Sequence, residues 1–302
     1  MTQSSEELTP LRLDPTTPAY EGPIGAVVPA DRLTEITPPK RGLTLNLGEL
    51  WAYRELLVFM VWRDIKVRYK QTVLGAAWAV IQPVSTVIIF SVIFGRLAHL
   101  PSDGLPYPVF AFAGLLPWLY FAQSLTLSSQ SLVANKNLVT KVYFPRLIIP
   151  LAAVAVPVVD FLVASTVLIG MIFFYGLVPS WHAVGILLFV LLAFLTAFGV
   201  GLWLSVLNVR YRDVPYVIPF LTQLWLYASP VVYPVSLVPR HWQWLLALNP
   251  MVGVIEGFRW ALLGIGTPRP SVILTSGAVG LLLTLSGLVY FNRMERHFAD
   301  VI

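Results

Sequence analysis

Cysteine is missing from all 302 residues, which excludes disulfides and thiolate metal sites. Charge is nearly as scarce: 12% of the residues are charged against 57% hydrophobic, about half the charged share usual in soluble domains. No GxxxxGK(S/T) stretch occurs, so the chain has no P-loop through which to bind ATP. HExxH and GxSxG are also absent, and the four histidines (His99, His182, His241, His297) are scattered. No metal site and no catalytic residue is therefore expected. The first 39 residues are polar and Pro-rich with no apolar core of the signal-peptide kind. Insertion is expected to depend on the first true span.

What the chain has instead is long uncharged runs. Gln71–Gly95 is 25 residues without a charged side chain, and Gly104–Asn135 is 32. Crossing about 30 Å of hydrocarbon at 1.5 Å per residue takes roughly 20 apolar residues. The expected fold is an all-α integral membrane protein with six spans at about 73–95, 108–132, 147–175, 183–208, 214–234 and 271–291. Pro83, Pro117 and Pro157 fall inside spans, where neighbouring helices must satisfy the freed carbonyls. Residues 1–41, with seven prolines and no hydrophobic periodicity, read as a disordered cytosolic tail. Residues 45–70 read as an amphipathic helix on the membrane surface. Leu47, Leu50, Trp51, Leu57, Val58, Val61, Trp62 and Ile65 form its apolar face, Phe59 and Met60 fall on the polar one, and Asp64 is placed to pair with Arg68.

Region 235–270 is the ambiguous part. Its apolar pieces are short, Asn249-Pro250 separates them, and Glu256 and Arg259 would each cost ~2.5–3.5 kcal/mol at mid-bilayer. Two short re-entrant or interfacial helices at 241–264 are expected on the outer face. Both termini are then cytoplasmic. The inner segments hold 14 Lys and Arg, whereas the outer ones hold four: Arg96, Arg240, Arg259 and Arg269. The pI near 9.5 reflects this bias and not a nucleic-acid partner. No internal repeat is evident, which weakens a secondary-transporter reading.

Individual side chains narrow the field further. Asp160 is the one acid deep in an expected span, and helix packing or an inner hydrogen bond is its expected role. Ala193, Ala197, Gly201 and Ser205 give the fourth span a small-residue stripe suited to close packing, preferentially within the subunit. Glu256 and Arg259, three apart on one helix, form a candidate outer pair, either a gate hinge or an interfacial anchor. Trp118, Tyr120, Trp225, Tyr227 and Tyr233 are candidates for a glycan path, although aromatic rings also settle at membrane interfaces.

Several stretches are recognisable. RDIKVRYKQTVLGAAWAVIQP (Arg63–Pro83), NKNLVTKVYFPRLIIPL (Asn135–Leu151), NVRYRDVPYVIPF (Asn208–Phe220), SPVVYP (Ser229–Pro234) and LNPMVGVIEGFRWALLG (Leu248–Gly264) together resemble permease subunits of type-2 ABC exporters of polysaccharides and polyol phosphates. The likeness runs in order from about Leu45 to the C-terminus; the long N-terminal tail departs from it.

The resemblance implies a homodimeric pore in the bacterial inner membrane, completed by two copies of a separate ATPase that binds ATP and Mg. The cargo it implies is a polysaccharide on a polyprenyl diphosphate, moved outward. It also implies ATPase contacts at Arg63, Asp64, Lys66 and Arg68 of the surface helix, and along the 135–146 loop at Lys136, Asn137, Lys141, Tyr143, Phe144, Pro145 and Arg146. The loop suits force transmission because Pro145 and Pro150 restrict its backbone and Tyr143 and Phe144 offer apolar contact. An ABC permease for a small lipid or drug would share this fold. A membrane-embedded glycan-processing enzyme is less compatible, since no DxD-like acid pair lies at a membrane edge.

Overall fold

The computed structural model describes residues 47–70, 77–264, 269–295 and Phe298. The expected 1–41 tail, residues 73–76 of the expected first span and Arg296 lie outside them. Among the described residues every regular element is helical. Lipid offers backbone groups no partner, and a helix satisfies them within its own segment.

The elements run α1 (Leu47–Ala52), α2 (Arg54–Lys70), α3 (Trp78–Phe90, widening to a π-turn over Ser91–Leu97), α4 (Tyr107–Ala134), α5 (Lys136–Lys141), α6 (Ile148–Ala155), α7 (Pro157–Phe174), α8 (Ile186–Arg210), α9 (Val214–Tyr227), α10 (Gln243–Ala247), α11 (Pro250–Leu263) and α12 (Pro270–Met294). Five helical stretches are long and apolar enough to cross a membrane: Trp78–Leu97, Tyr107–Ala134, Ile148–Phe174, Trp181–Arg210 and Pro270–Met294. The α6–α7 pair makes one such stretch because Val156 keeps helical angles where Pro157 begins α7. Arg240–Ala247 and Pro250–Leu263 pass the same test only together, and they are bent by 106°. They form either a broken span or a re-entrant pair.

Two expectations change. The fifth span, expected as one helix over 214–234, is a 14-residue helix α9 of about 21 Å, short of the hydrocarbon thickness. The chain leaves the helix at Ala228, ahead of Pro230 and Pro234. The surface helix is not continuous either, since it breaks at Tyr53 between α1 and α2. Nor is its apolar face the expected one. Met60 is its most buried side chain, packed into the core with Leu56, Leu57 and Val61 beside it. Trp51, Val58, Phe59 and Trp62 stand exposed. The helix therefore has two apolar sides, one resting on α6 and one left uncovered by the described residues.

Helix α4 is the axis of the bundle. Of its most apolar window 78% is buried, against 11% for α3, and α8, α6, α7, α11, α3 and α9 all pack on it. Small residues set the spacing where α8 meets its neighbours. A Cβ at Gly199 would lie 2.5 Å from the Thr284 backbone of α12, and one at Gly201 2.5 Å from Ser128 Oγ of α4. Ala193, Ala197, Gly201 and Ser205 are all buried within the single chain, so the stripe is covered without a second copy.

Candidate functional site

Two arginines inside the bundle organise its polar chemistry. Arg259 of α11 is 5% exposed. Its Nη1 donates to Pro230 O at 2.6 Å, Nη2 to Val231 O at 2.6 Å and Nε to Phe110 O at 3.2 Å. Glu256 is a more distant partner at 3.4 Å. The guanidinium also lies 3.7 Å from the centroid of the Phe110 ring. It fits because Gly114 leaves a notch: a Cβ there would sit 2.3 Å from Arg259 Nη2.

The same neighbourhood takes up the irregular backbone after α9. Tyr107 Oη donates to Val232 O at 2.8 Å, and Asn249 Nδ2 donates to Ala228 O at 3.3 Å and to Ser229 Oγ at 2.9 Å. Asn249 Oδ1 accepts from Trp225 Nε1 and from the Met251 N–H, capping α11 at the bend. The carbonyls of residues 228, 230, 231 and 232 thus each meet a side-chain donor. Non-helical backbone is tolerated among apolar helices on that condition. The Glu256–Arg259 contact expected from sequence is present, but it is the longest of the arginine's four polar contacts.

Arg68 stands in a different setting. The expected Asp64–Arg68 pair does not form. Asp64 instead meets Arg63 at 2.8 Å, and Arg68 reaches across to Asp160 of α7 at 2.9 Å. Tyr69 Oη also donates to Asp160. Gln123 of α4, with its amide turned to satisfy both ends, donates to Asp160 Oδ2 at 3.1 Å and accepts from Arg68. Burial and then the bond to Asp160 push the Tyr69 hydroxyl up to about 12, so it remains a neutral donor at physiological pH. This cluster faces a cavity of about 1020 Å³ between α2, α3, α4, α7 and α9.

The 135–146 segment carries a short helix, α5, and is fastened at both ends. Arg63 Nη2 donates to Asn135 Oδ1 at 3.0 Å, tying α2 to the start of α5. At the other end the Arg146 guanidinium donates to the Glu295 backbone carbonyl, and the Arg146 N–H to Glu295 Oε1 at 3.3 Å. Burial raises the Glu295 carboxyl above the usual carboxylate range, with Arg146 pulling the other way. Lys136, Asn137, Lys141 and Tyr143 are exposed, and Pro145 is half-buried. Phe144 is buried in the core and presents no outward surface. Lys66 stacks on Trp62 at 5.3 Å.

The candidate glycan-path aromatics separate as well. Trp118 and Tyr120 are buried in the core, and Trp225 packs on Phe121 with ring centroids 4.9 Å apart. Only Tyr227 is well exposed, with Tyr233 half-buried and donating to its carbonyl at 3.4 Å. Of the five, Tyr120 alone lines the cavity. Sequence reasoning missed Tyr69, Gln123, Asn135, Asn249, Tyr107, Gly114 and Glu295. Asp160 was the one signal that a partner had to exist nearby.

Comparison with known proteins places these features. The family model described as ABC-2 type transporter matches residues 55–263. The O-antigen export system permease protein RfbA of Klebsiella pneumoniae is 33% identical over 258 residues, covering 85% of this chain and 97% of that protein. RfbA of Myxococcus xanthus is 28% identical over 257 residues, covering 84% and 98%. The polysialic acid transport protein KpsM of Escherichia coli is 28% identical over 247 residues, covering 77% and 91%.

Proposed function

Because the chain belongs to the ABC-2 type transporter family, we propose that it is the permease of an ATP-driven exporter moving a polyprenyl-diphosphate-linked polysaccharide outward across the bacterial inner membrane. The observation that carries this reading is similarity along 97% of an O-antigen export permease, in a chain that has no P-loop. ATP and Mg belong to a separate ATPase subunit, two copies of which serve a permease homodimer. Both termini face the cytoplasm, α10 and α11 dip in from the outer face, and α1–α2 lie at the inner surface. The exposed apolar side of α1–α2, with Trp51, Phe59 and Trp62, suits contact with lipid headgroups and acyl chains.

In this reading the ATPase grips α5 and its flanks. Exposed Lys136, Asn137, Lys141 and Tyr143 supply the contact. Arg63–Asn135 passes motion to α2, Arg146–Glu295 passes it to the end of α12, and Arg68–Asp160 continues it from α2 into α7. Glu256 and Arg259 brace the outer end.

The test is genetic and biochemical. Cells lacking the chain should accumulate lipid-linked glycan inside, and the purified chain should hydrolyse no ATP until its ATPase is added. Robust hydrolysis by the isolated polypeptide would overturn the reading. Labelling of cysteines placed at Ser180 and Ser236 from outside, and at Lys141 only from inside, checks the orientation on this Cys-free background.

A further inference from the structure

A second cavity, of about 420 Å³, lies between α4, α8 and α9, within the roughly 300–1,000 Å³ of ligand pockets. Its walls are hydrocarbon and indole. Thr222 is the one hydroxyl in the lining, and it donates to Ile218 O at 2.9 Å. Trp225 Nε1 donates to Asn249 Oδ1, also at 2.9 Å. Neither has a proton left for a ligand, and a space without polar partners stays dry. Helix α9 closes it loosely: Ile218 is its only buried residue, while Leu221 and Leu224, both in the lining, are about half exposed.

The cavity has the length of one leaflet. On α9 it runs from Ile218 to Ala228, about 15 Å along the axis and half of the ~30 Å hydrocarbon. On α8 its lining residues Val200 and Leu204 lie about 15 and 9 Å from Arg210 along the axis. The turn joining these same two helices therefore sits at one end of the cavity, and it carries Arg210 and Arg212, both exposed. Arg210 stacks on Tyr211 at 5.4 Å. Neither guanidinium has a hydrogen-bond or ion-pair partner among the described residues. Asp213 follows, so two arginines and one aspartate leave the turn positive. An apolar slot one leaflet long, with unengaged guanidinium forks at its end, has the polarity of a phospholipid: an acyl chain for the slot and a phosphate for the arginines. A helix of a second copy would fill the slot without using the cations.

We propose that this cavity and the Arg210–Arg212 turn together bind one anionic phospholipid of the adjoining leaflet, the inner one in the orientation given above. The site goes beyond the exporter reading, since its ligand is a resident membrane lipid and not the cargo.

The test uses the full chain in phosphatidylcholine nanodiscs carrying, as a minor component, phosphatidylglycerol with a diazirine in one acyl chain. Adducts formed on irradiation are mapped by mass spectrometry. Labelling at Val200, Leu204 and Leu221 should exceed that at Leu281, Leu282 and Leu285, on the exposed side of α12, by about tenfold, the pull of two cations on an anionic headgroup. Diacylglycerol with the same diazirine but no phosphate should show no such preference. Arg210→Gln and Arg212→Gln should each lower labelling of the slot about fivefold and leave α12 unchanged. Leu204→Trp, which fills the slot, should abolish labelling at Val200 and Leu221 with both arginines intact. Equal labelling of the two faces by phosphatidylglycerol would overturn the proposal. So would an equal preference shown by diacylglycerol, which would leave the slot apolar and nothing more. A slot that takes no label while α12 does would put a second copy over it, and displacement of the probe by an equal amount of polyprenyl diphosphate would assign it to the carrier lipid; either result sinks the proposal. The wild-type comparison decides the matter even where a variant fails to insert, and because export is not the readout, the outcome is independent of the exporter reading.

Discussion

Arg259 and Arg68 are the same side chain in two kinds of surroundings. Arg259 is sealed, with three carbonyls, a carboxylate and an aromatic face filling its reach. Arg68 keeps a third of its side-chain surface open and shares Asp160 with a tyrosine and an amide at the rim of a cavity. The first arrangement fixes backbone that would otherwise be unsatisfied. The second leaves polar groups free to exchange partners. Within one bundle, then, an arginine can be sealed among carbonyls or held at an opening, and the difference lies in whether a cavity adjoins it. The same contrast recurs in the 135–146 segment, where Phe144 is sealed in the core and its neighbour Tyr143 is open.

The sealed arginine should give the largest effect. Arg259→Met leaves the Phe110, Pro230 and Val231 carbonyls without their donor, and loss of one partner from such a buried charged network costs about 3–5 kcal/mol. Abundance in the membrane and thermal stability in detergent should both collapse. Gly114→Ala should do the same from the other side, since its Cβ would collide with the guanidinium. The Glu256→Arg, Arg259→Glu swap should not rescue either single change, because a carboxylate cannot donate to three carbonyls. Recovery on swapping would make the pair, and not the carbonyls, the reason for Arg259.

Phe144→Ala comes next. A buried phenylalanine truncated to alanine costs about 3–5 kcal/mol where the site cannot collapse, and this one lies near the bundle's end, so the lower part of that range is expected. The readout is lower thermal stability and abundance, with export falling only in proportion to the protein that remains. A mutant of normal abundance that nevertheless failed to export would move Phe144 to the functional side of the comparison.

Asp160→Asn tests the open arginine. Asparagine can still accept from Tyr69, so the loss is a charge-assisted bond worth about 1.5–3 kcal/mol, partly offset by water reaching Arg68. Stability should fall by less than for Arg259→Met, while export falls by more than the abundance does. If Asp160→Asn destabilises the chain as severely as Arg259→Met, the two arginines are not different in kind.

Much of this architecture was legible in the residues. Uncharged runs marked the long helices because the bilayer admits few charges, and the small-residue stripe on α8 marked a close contact. The carbonyl-binding role of Arg259 was hidden, because its partners lie 149, 29 and 28 residues away and a backbone carbonyl leaves no mark in sequence. The Asp64–Arg68 expectation failed for a related reason. Helical spacing proposed a local partner, but Arg63 was nearer to Asp64, and Asp160, half-buried on α7 and needing a cation, took Arg68. Met60 was assigned to the wrong face because a helix packed on α6 and also exposed on its other side has no single apolar stripe.

The smallest expected effect belongs to the open members of the 135–146 segment. Tyr143 and Lys141 are exposed, and no hydrogen bond or ion pair holds either side chain among the described residues. Neither substitution should therefore change insertion or thermal stability beyond about 0.5 kcal/mol. If this segment is where the ATPase grips, Tyr143→Ala removes an aromatic anchor and should weaken ATPase binding by about 1–2 kcal/mol. Lys141→Ala removes a rim charge worth about 1 kcal/mol or less. Titrating the ATPase against purified permease at two salt concentrations separates them, because only the lysine's share should shrink with added salt. Unchanged affinity for both variants would leave α5 as an ordinary basic turn, and the grip would have to be sought along α2.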